Sequence, residues 1–348
     1  MREVLQRLLA GEHLSRAEAR ELLAAILAGP AEAAERAAHD LRVAGVLVAL
    51  RAKGETVEEI AGFAEAMRAA MLDIGVKGGP NGRPRPWVDT CGTGGNARPV
   101  FNISTAAALA AAGAGQGVAK HGNRTSTSVC GSADVLEALG VRIELPPQRL
   151  GQCLEEIGIA FLFAPGLHPA TRQVMPARRA LGVRTIFNLL GPLTNPAGAE
   201  AQVIGVSEAE LVAKLAQVLR LLGTRHSFVV RSQDGIGELS TTAVNEVAEV
   251  RDGEVRQYTL DARQLGLARV EFAALQCHRK EEAVAMMERV LAGEPGPLQD
   301  VVSLNAAAAL IAGGQAADWS AGMEQARASL QSGAARRKLE ELARFTQA

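Results

Sequence analysis

A chain of 348 residues with 37 basic and 38 acidic side chains has a formal charge of -1, so no overall field draws it to nucleic acid or an acidic membrane, and any anion must be held locally. The length admits one large domain or two unequal ones. No run of about 18 or more apolar residues is free of charge, and the four cysteines and six histidines are too scattered for a disulfide framework or a zinc site. The opening MREVLQRLLAGEHL is amphipathic and charged, without a signal peptide's apolar core or cleavage site, which places the protein in the cytoplasm.

Residues 1–75 read as short helices forming a small helical domain, to which helices near 168–182 are expected to join. LSRAEARELLAAILAG has Ser15 as N-cap with Glu18 three positions on, and stops at Gly29-Pro30. AEAAERAAHDLRVAGVLVALRAKG and TVEEIAGFAEAMRAAML repeat the helical spacing, with Gly54 and Thr56 at their boundaries. Residues 75–86, GVKGGPNGRPRP, hold four Gly and three Pro and sustain neither helix nor strand, so 76–86 is expected to be a hinge. From 87 to 348, apolar strand-like runs alternate with Gly-rich turns and Ala-rich helices, which predicts a large α/β domain with a mainly parallel sheet. Ligands of such sheets sit beyond the carboxyl ends of the strands, where the Gly-rich and basic loops fall.

Four stretches carry chemistry. In DTCGTGGNARPVFNISTAAALAAAG (89–113), Gly92, Gly94 and Gly95 let the backbone approach an anion, and Asn102, Ser104 and Thr105 open a helix whose free N–H groups favour one. In VAKHGNRTSTSVCGSADVLEALG (118–140), Val118 and Ala119 close a strand, Lys120 follows it as a point charge for phosphate, and hydroxyls precede a helix starting near Ser132. Neither loop is a Walker sequence. HPATRQVMPARRALGVRTIFNLLGPLTNPAG (168–198) groups Arg178, Arg179 and Arg184, which suit a substrate carboxylate or are simply solvated. DGIGELS (234–240) places Asp234 and Glu238 on a loop that suits Mg2+ beside substrate phosphates, or is a plain hairpin turn.

GTGGN, FNIST, KHGNR, RTIFNLLGPLTNP and GELS, in that order, resemble the anthranilate phosphoribosyltransferase family over the whole chain. The resemblance implies a homodimer of nucleoside phosphorylase/phosphoribosyltransferase-like fold, with the site between a small helical and a large α/β domain. It implies transfer of the phosphoribosyl group from phosphoribosyl pyrophosphate to the amine of anthranilate, with Mg2+, in tryptophan biosynthesis. The donor positions it carries over are Gly92, Gly95, Asn102, Ser104, Thr105, Lys120, Asn123, Arg124, Thr125, Ser126, Thr127, Ser128 and Ser132, with Asn96, Ile103 and Gly122 as further substrate-binding candidates. Asn123 and Arg178 match anthranilate-contacting positions, with His121 and Pro169 nearby; Lys120, His121 and Arg178 are the catalytic candidates, and Ser104 and Glu238 match metal ligands.

The sequence also departs from the family pattern. Asn96 replaces the acid after GTGG, Gly237 stands where the first of two acids is expected, Val129 and Cys130 replace Lys and Ser, and Leu167 replaces His or Tyr. The first two remove negative charge near the metals and reduce the expected set to one ion; the last is expected to alter the acceptor pocket. Two other readings therefore stand beside the enzyme: a paralogue with another aromatic acceptor, and a binding protein that keeps the donor cradle without turnover.

Overall fold

The computed structural model describes residues 1–76, 86–95, 98–124 and 129–348. Most of the expected hinge, Asn96, and Thr125 to Ser128 lie outside the described residues. The chain begins with four helices, α1 (Arg2–Leu9), α2 (Arg16–Ala28), α3 (Arg36–Lys53) and α4 (Val57–Ala70). Two of them start on reciprocal caps. Ser15 Oγ accepts from Glu18 N (3.3 Å) while the Glu18 carboxylate accepts from Ser15 N (2.8 Å), and Thr56 and Glu59 repeat the exchange at 3.2 and 2.9 Å. Glu59 is fully buried and also accepts from Leu14 N (2.9 Å) and Lys53 Nζ (2.8 Å), so one carboxylate ties three segments of the bundle. α3 begins later than its Ala-rich pattern suggests, because a 3-10 turn over Ala33–Glu35 precedes it.

The remaining elements are β1 (Val88–Gly92), α5 (Ile103–Gly113), β2 (Val118–Gly122), α6 (Ser132–Ala138), α7 (Pro147–Ile157), β3 (Ile159–Phe163), α8 (Ala164–Leu167), α9 (Met175–Leu181), α10 (Phe187–Leu190), β4 (Ala201–Gly205), α11 (Ala209–Leu221), β5 (His226–Ser232), β6 (Asn245–Arg251), β7 (Glu254–Leu260), α12 (Lys280–Leu291), α13 (Pro297–Ala312), α14 (Trp319–Gln331) and α15 (Ala334–Gln347). Among the described residues the seven strands form one sheet in the order β3-β2-β1-β4-β5-β6-β7. β1 to β5 are parallel, and β6 and β7 add as antiparallel neighbours. Asp252 (φ 51°) and Gly253 (φ 83°) make the two-residue turn between β6 and β7, with the positive φ values that match strand twist. DGIGELS lies in the connection from β5 to β6, so its hairpin reading holds for the antiparallel pairing although the loop, residues 233–244, is long.

Alternation along the strands separates two cores. Val88, Ala201, Val203, Phe228, Val230 and Val247 face one, with α5, α13, α14 and α15; Ile204, Val229, Ala248 and Val250 face the other, with α11, the N-terminal helices and the segment Val174–Leu193. Val174 and Ala177 of the 168–182 region pack in this second core. α5 and α13 are buried nearly all round, consistent with their apolar and alanine-rich faces. At Gly113 a Cβ would meet Ser329 Oγ and, at 2.6 Å, Ala335 N, so α5 packs here at a distance only glycine permits.

Candidate active site

The sheet order reverses at β1: its chain-order successor β2 lies on one side and β4 on the other, which opens a crevice at the carboxyl ends of these strands. A cleft of about 820 Å3 occupies it. It brings together Gly92, Gly95, Asn102, Ser104, Thr105, Lys120, His121, Gly122, Asn123, Arg124, Ser132, Arg178 and Glu238 from the four stretches singled out above. Ile103 and Pro169 do not line it. Ile103 is fully buried in the large-domain core, at the first turn of α5, and Pro169 begins a short 3-10 turn whose neighbours His168 and Thr171 do line the cleft.

At the first end the walls are backbone. Gly92 pairs with Gly205 across β1 and β4, where a Cβ on Gly92 would lie 3.1 Å from the Gly205 carbonyl; a Cβ on Gly205 would lie 2.6 Å from the carbonyl of Gly237. Three chain segments therefore meet with no room for a side chain at Gly92 or Gly205. Asn102 Nδ2 donates to Cys130 O (2.9 Å), joining the first stretch to the second, while Asn102 Oδ1 is a buried acceptor with no partner among the described residues. The loop next to Glu238 is held by two side-chain amides, one distant in sequence and one at the start of β6. Asn305 Oδ1 accepts from Leu239 N (3.1 Å) and its Nδ2 donates to Leu239 O (2.7 Å), while Asn245 accepts from Ser240 N (2.7 Å) and donates to Ser240 O (2.9 Å). Both asparagines are buried, and both were missed from sequence because neither sits in a recognisable loop.

Lys120 and His121 lie inside β2, not after it. Lys120 is 3 % exposed, and its Nζ donates to Thr90 O (2.5 Å) and reaches Ser104 Oγ at 3.5 Å. Burial pulls its pKa down, opposed by the charges of Asp89, Cys91 and Glu238; burial pushes Asp89 up, opposed by Lys120. The burial of Lys120 excludes its solvated reading. His121 N donates to Asp89 Oδ1 (3.0 Å), and the His121 ring nitrogen Nδ1 faces the Gly191 carbonyl at 3.0 Å, which assigns the proton to Nδ1 and leaves Nε2 as a buried lone pair without a partner among the described residues. Burial, then the neighbouring His168, holds His121 down at about 3, and burial holds His168 at about 4. Both rings, 5.2 Å apart, are neutral at physiological pH.

At the other end the walls are side chains on α8, α9 and α10, with Met67 from the helical bundle. The Arg178 guanidinium sits 5.3 Å above the Phe187 ring and 3.9 Å from Met175 Sδ, and among the described residues it has no carboxylate partner. Burial lowers its pKa. Arg124, by contrast, is spoken for: it pairs with Asp134 (3.2 Å) and Glu137 (2.8 Å) of α6.

The chain matches the family model described as glycosyl transferase family, helical bundle domain, over residues 2–71, and the one described as glycosyl transferase family, a/b domain, over residues 84–336. The anthranilate phosphoribosyltransferase of Symbiobacterium thermophilum is 47% identical over 346 residues, covering 99% of this chain and 98% of that protein. The chain belongs to the anthranilate phosphoribosyltransferase family. Among solved structures, the anthranilate phosphoribosyltransferase of Thermus thermophilus superposes with a TM-score of 0.88 at 44% identity, covering 99% of both chains. That of Saccharomyces cerevisiae in complex with PRPP and Mg gives 0.88 at 26% identity, covering 99% of this chain and 96% of that one.

Against the anthranilate phosphoribosyltransferase pattern, the departures fall in different places. Leu167 is 1 % exposed, packs in the large-domain core and does not line the cleft, so the expectation that it reshapes the acceptor pocket is corrected. Cys130 and Gly237 do line it; Val129 packs against the core edge. Glu238 is the single carboxylate among the described lining residues, and no group of three His, Cys, Asp or Glu among the described residues could cage a metal. Mg2+ prefers hard oxygens and is often held by one or two carboxylates plus substrate phosphates. Glu238, the Ser104 hydroxyl and the orphaned Asn102 Oδ1 fit that mode, and do not fit an ion held by protein alone.

Proposed function

We propose that this chain transfers the phosphoribosyl group of phosphoribosyl pyrophosphate to anthranilate, giving N-(5-phosphoribosyl)anthranilate and pyrophosphate in tryptophan biosynthesis. The observation that carries this reading is the polarity of one cleft: backbone amides, hydroxyls and a buried lysine at one end, and an arginine without a carboxylate partner over an aromatic ring at the other. Such a cleft suits a pyrophosphate-bearing sugar facing an aromatic acid. Family members described with PRPP and Mg, and with 4-fluoroanthranilate, support it.

In this reading Gly92, Gly95, the α5 start at Ser104 and Thr105, and the stretch from Gly122 onward hold the donor, and Ser104 and Glu238 hold Mg2+. When bound, that ion offsets the charge developing on the leaving pyrophosphate. Lys120 adds a fixed positive charge at the same end, preorganised because it is already desolvated. Arg178 pairs with the anthranilate carboxylate, and Phe187 and Met175 limit its swing. The amine is neutral at pH 7 and attacks the anomeric carbon as the carbon–oxygen bond to pyrophosphate breaks; positioning, not deprotonation, starts the reaction. The nitrogen then sheds its proton, which an N-aryl ammonium gives up without a strong base; His121, held down at about 3, is not required to take it.

The assembly belongs to the same proposal. Leu9, Leu41 and Val48 on α1 and α3 are large apolar side chains left 71%, 76% and 46% exposed, which supports a homodimer joined through the helical bundle. We place the enzyme in the cytoplasm. Titration with phosphoribosyl pyrophosphate, with and without Mg2+, followed by anthranilate, tests the reading: turnover is expected, binding without turnover with anthranilate points to another acceptor or a binding protein, and no donor binding rejects it.

A further inference from the structure

The turn that follows α10, Gly191–Leu193, is a single 3-10 turn at the edge of the cleft, which Leu190, Gly191 and Pro192 line. Its three carbonyls are each met by a side chain from a different element. His121 Nδ1 on β2 donates to Gly191 O (3.0 Å), Gln202 Nε2 on β4 donates to Pro192 O (2.6 Å), and Arg68 Nε on α4 donates to Leu193 O (2.7 Å). Two of these anchors belong to the sheet and the third to the N-terminal bundle. Leu193 is fully buried, so Arg68 rather than water satisfies its carbonyl. The acid one turn before Arg68, Glu65, is paired with Arg16, which leaves the Arg68 guanidinium to reach across to the turn.

The anchors do different jobs. With His121, Gln202 and Asn195 (Nδ2 to Ala119 O, 2.8 Å) in place, the turn stays on the sheet with or without Arg68. What Arg68 fixes is the bundle. Its neighbour Met67 lines the cleft, and the same helix packs on α10, which carries Phe187 beneath Arg178. We propose that Arg68 is a positioning residue of the acceptor end: its tether to Leu193 O sets how closely α4 brings Met67 to the wall made by Phe187 and Leu190, and so how tightly an aromatic acceptor is held. A small displacement of such a wall is enough to spoil the placing of a substrate. The donor end, built on β1, β2 and α5, does not depend on this tether.

The inference rests on the proposed acceptor, anthranilate, and the test separates the two. Gln and Met isolate the tether, because a Gln side chain carries an N–H at the position of Arg Nε, and a Met side chain of the same length carries a methyl there. Steady-state kinetics, calorimetry with phosphoribosyl pyrophosphate and Mg2+, and melting temperatures are compared for the unmodified protein, Arg68→Met, Arg68→Gln, and Met67→Ala with and without Arg68→Met. Loss of the tether raises the anthranilate KM about tenfold in Arg68→Met, the size of losing one charge-assisted hydrogen bond, and leaves donor affinity within about twofold. Arg68→Gln, which keeps the N–H, stays within about threefold of the parent KM. Because Arg68 acts through Met67, Arg68→Met adds little to the KM of Met67→Ala. Equal KM values in Arg68→Met and Arg68→Gln overturn the inference, whether both match the parent, as for a residue that moves only the melting temperature, or both are raised, as for a charge that attracts the acceptor. Full additivity with Met67→Ala overturns it as well. Should Arg68→Met fail to fold, Arg68→Leu takes its place against the same Gln variant. No turnover of anthranilate by the unmodified protein removes the functional reading and this inference together, a result distinct from variants that match an active parent.

Discussion

The two ends of the cleft are built from different materials. The donor end is backbone: strand termini, a glycine contact across β1 and β4, the first turn of a buried helix, and a lysine drawn into the sheet. The acceptor end is side chains on three short helices, of which α9 and α10 share their core with the N-terminal bundle. Backbone walls leave little freedom in what they bind, because moving them means moving the sheet. Side-chain walls can change shape and charge by single substitutions. The contrast predicts that damage at the donor end couples stability to function, while damage at the acceptor end separates them.

The largest effect tests that coupling. Lys120→Ala opens a cavity inside the sheet and strips the Thr90 carbonyl of its donor, a change that costs about 2–5 kcal/mol for a buried side chain of this size, and it removes the cation facing the donor as well. Chemical denaturation and donor titration should therefore fail together; a stable variant with weak donor binding would break the comparison. Glu238→Ala comes next. With Glu238 as the carboxylate offered to Mg2+, turnover should fall about a hundredfold, in the range seen for removing an electrostatic stabiliser, and the melting temperature should fall with it. Calorimetry on the donor complex should count one ion, and Gly237→Asp should add a second binding event; Gly237, unlike Gly235 at φ 91°, is not in the left-handed region, so an aspartate there meets no φ penalty. Two ions in the unmodified protein would sink the single-metal reading.

Arg178→Ala belongs to the acceptor end and should separate function from fold. The KM for anthranilate rises about tenfold or more, as expected for a lost charged hydrogen bond, while donor affinity and stability stay near the parent values. Equal damage to both substrates would erase the distinction between the ends. The smallest effect concerns pH. An unfolded histidine titrates near 6.5, whereas His168 is held at about 4 and His121 at about 3. Between these values the unfolded chain binds more protons, so stability rises with pH and is lost as pH falls from about 6.5 toward 4. For His168 alone the loss from pH 7 to pH 5 is about 2 kcal/mol. His168→Gln should flatten that slope in denaturant midpoints; an unchanged slope would show that His168 is not held neutral.

The same contrast explains what the sequence could tell. Donor-end residues were legible because backbone sites announce themselves locally: Gly92 and Gly95 in one turn, Ser104 and Thr105 at one helix start, the 118–124 run at one strand end. The position of Lys120 was not legible, since a lysine after two apolar residues looks like a loop and only pairing with β1 and β3 shows it inside the sheet. Acceptor-end contacts depended on packing between distant segments. Phe187 under Arg178 looked like one apolar residue among many, and Leu167 looked like a pocket residue; at the donor end the same problem hid Asn305, which acts 66 residues away from the loop it fixes. β7 also went unread, because its half-exposed edge pattern carries little apolar signal.

The alanine shaft of α5 carries a further consequence. Ser104 opens a helix whose next buried residues are almost all methyl-bearing, and whose far end at Gly113 abuts Ser329 and Ala335 without space for a Cβ. Alanine has no rotamers with which to absorb a displacement. The helix therefore has no side-chain slack, and at its C-terminal end even one added carbon must push a neighbouring element. Sequence drift along this shaft is confined, and new substrate preferences in descendants of this protein should arise by exchange of residues such as Met175 or Asn188, on the wall that still has volume to trade.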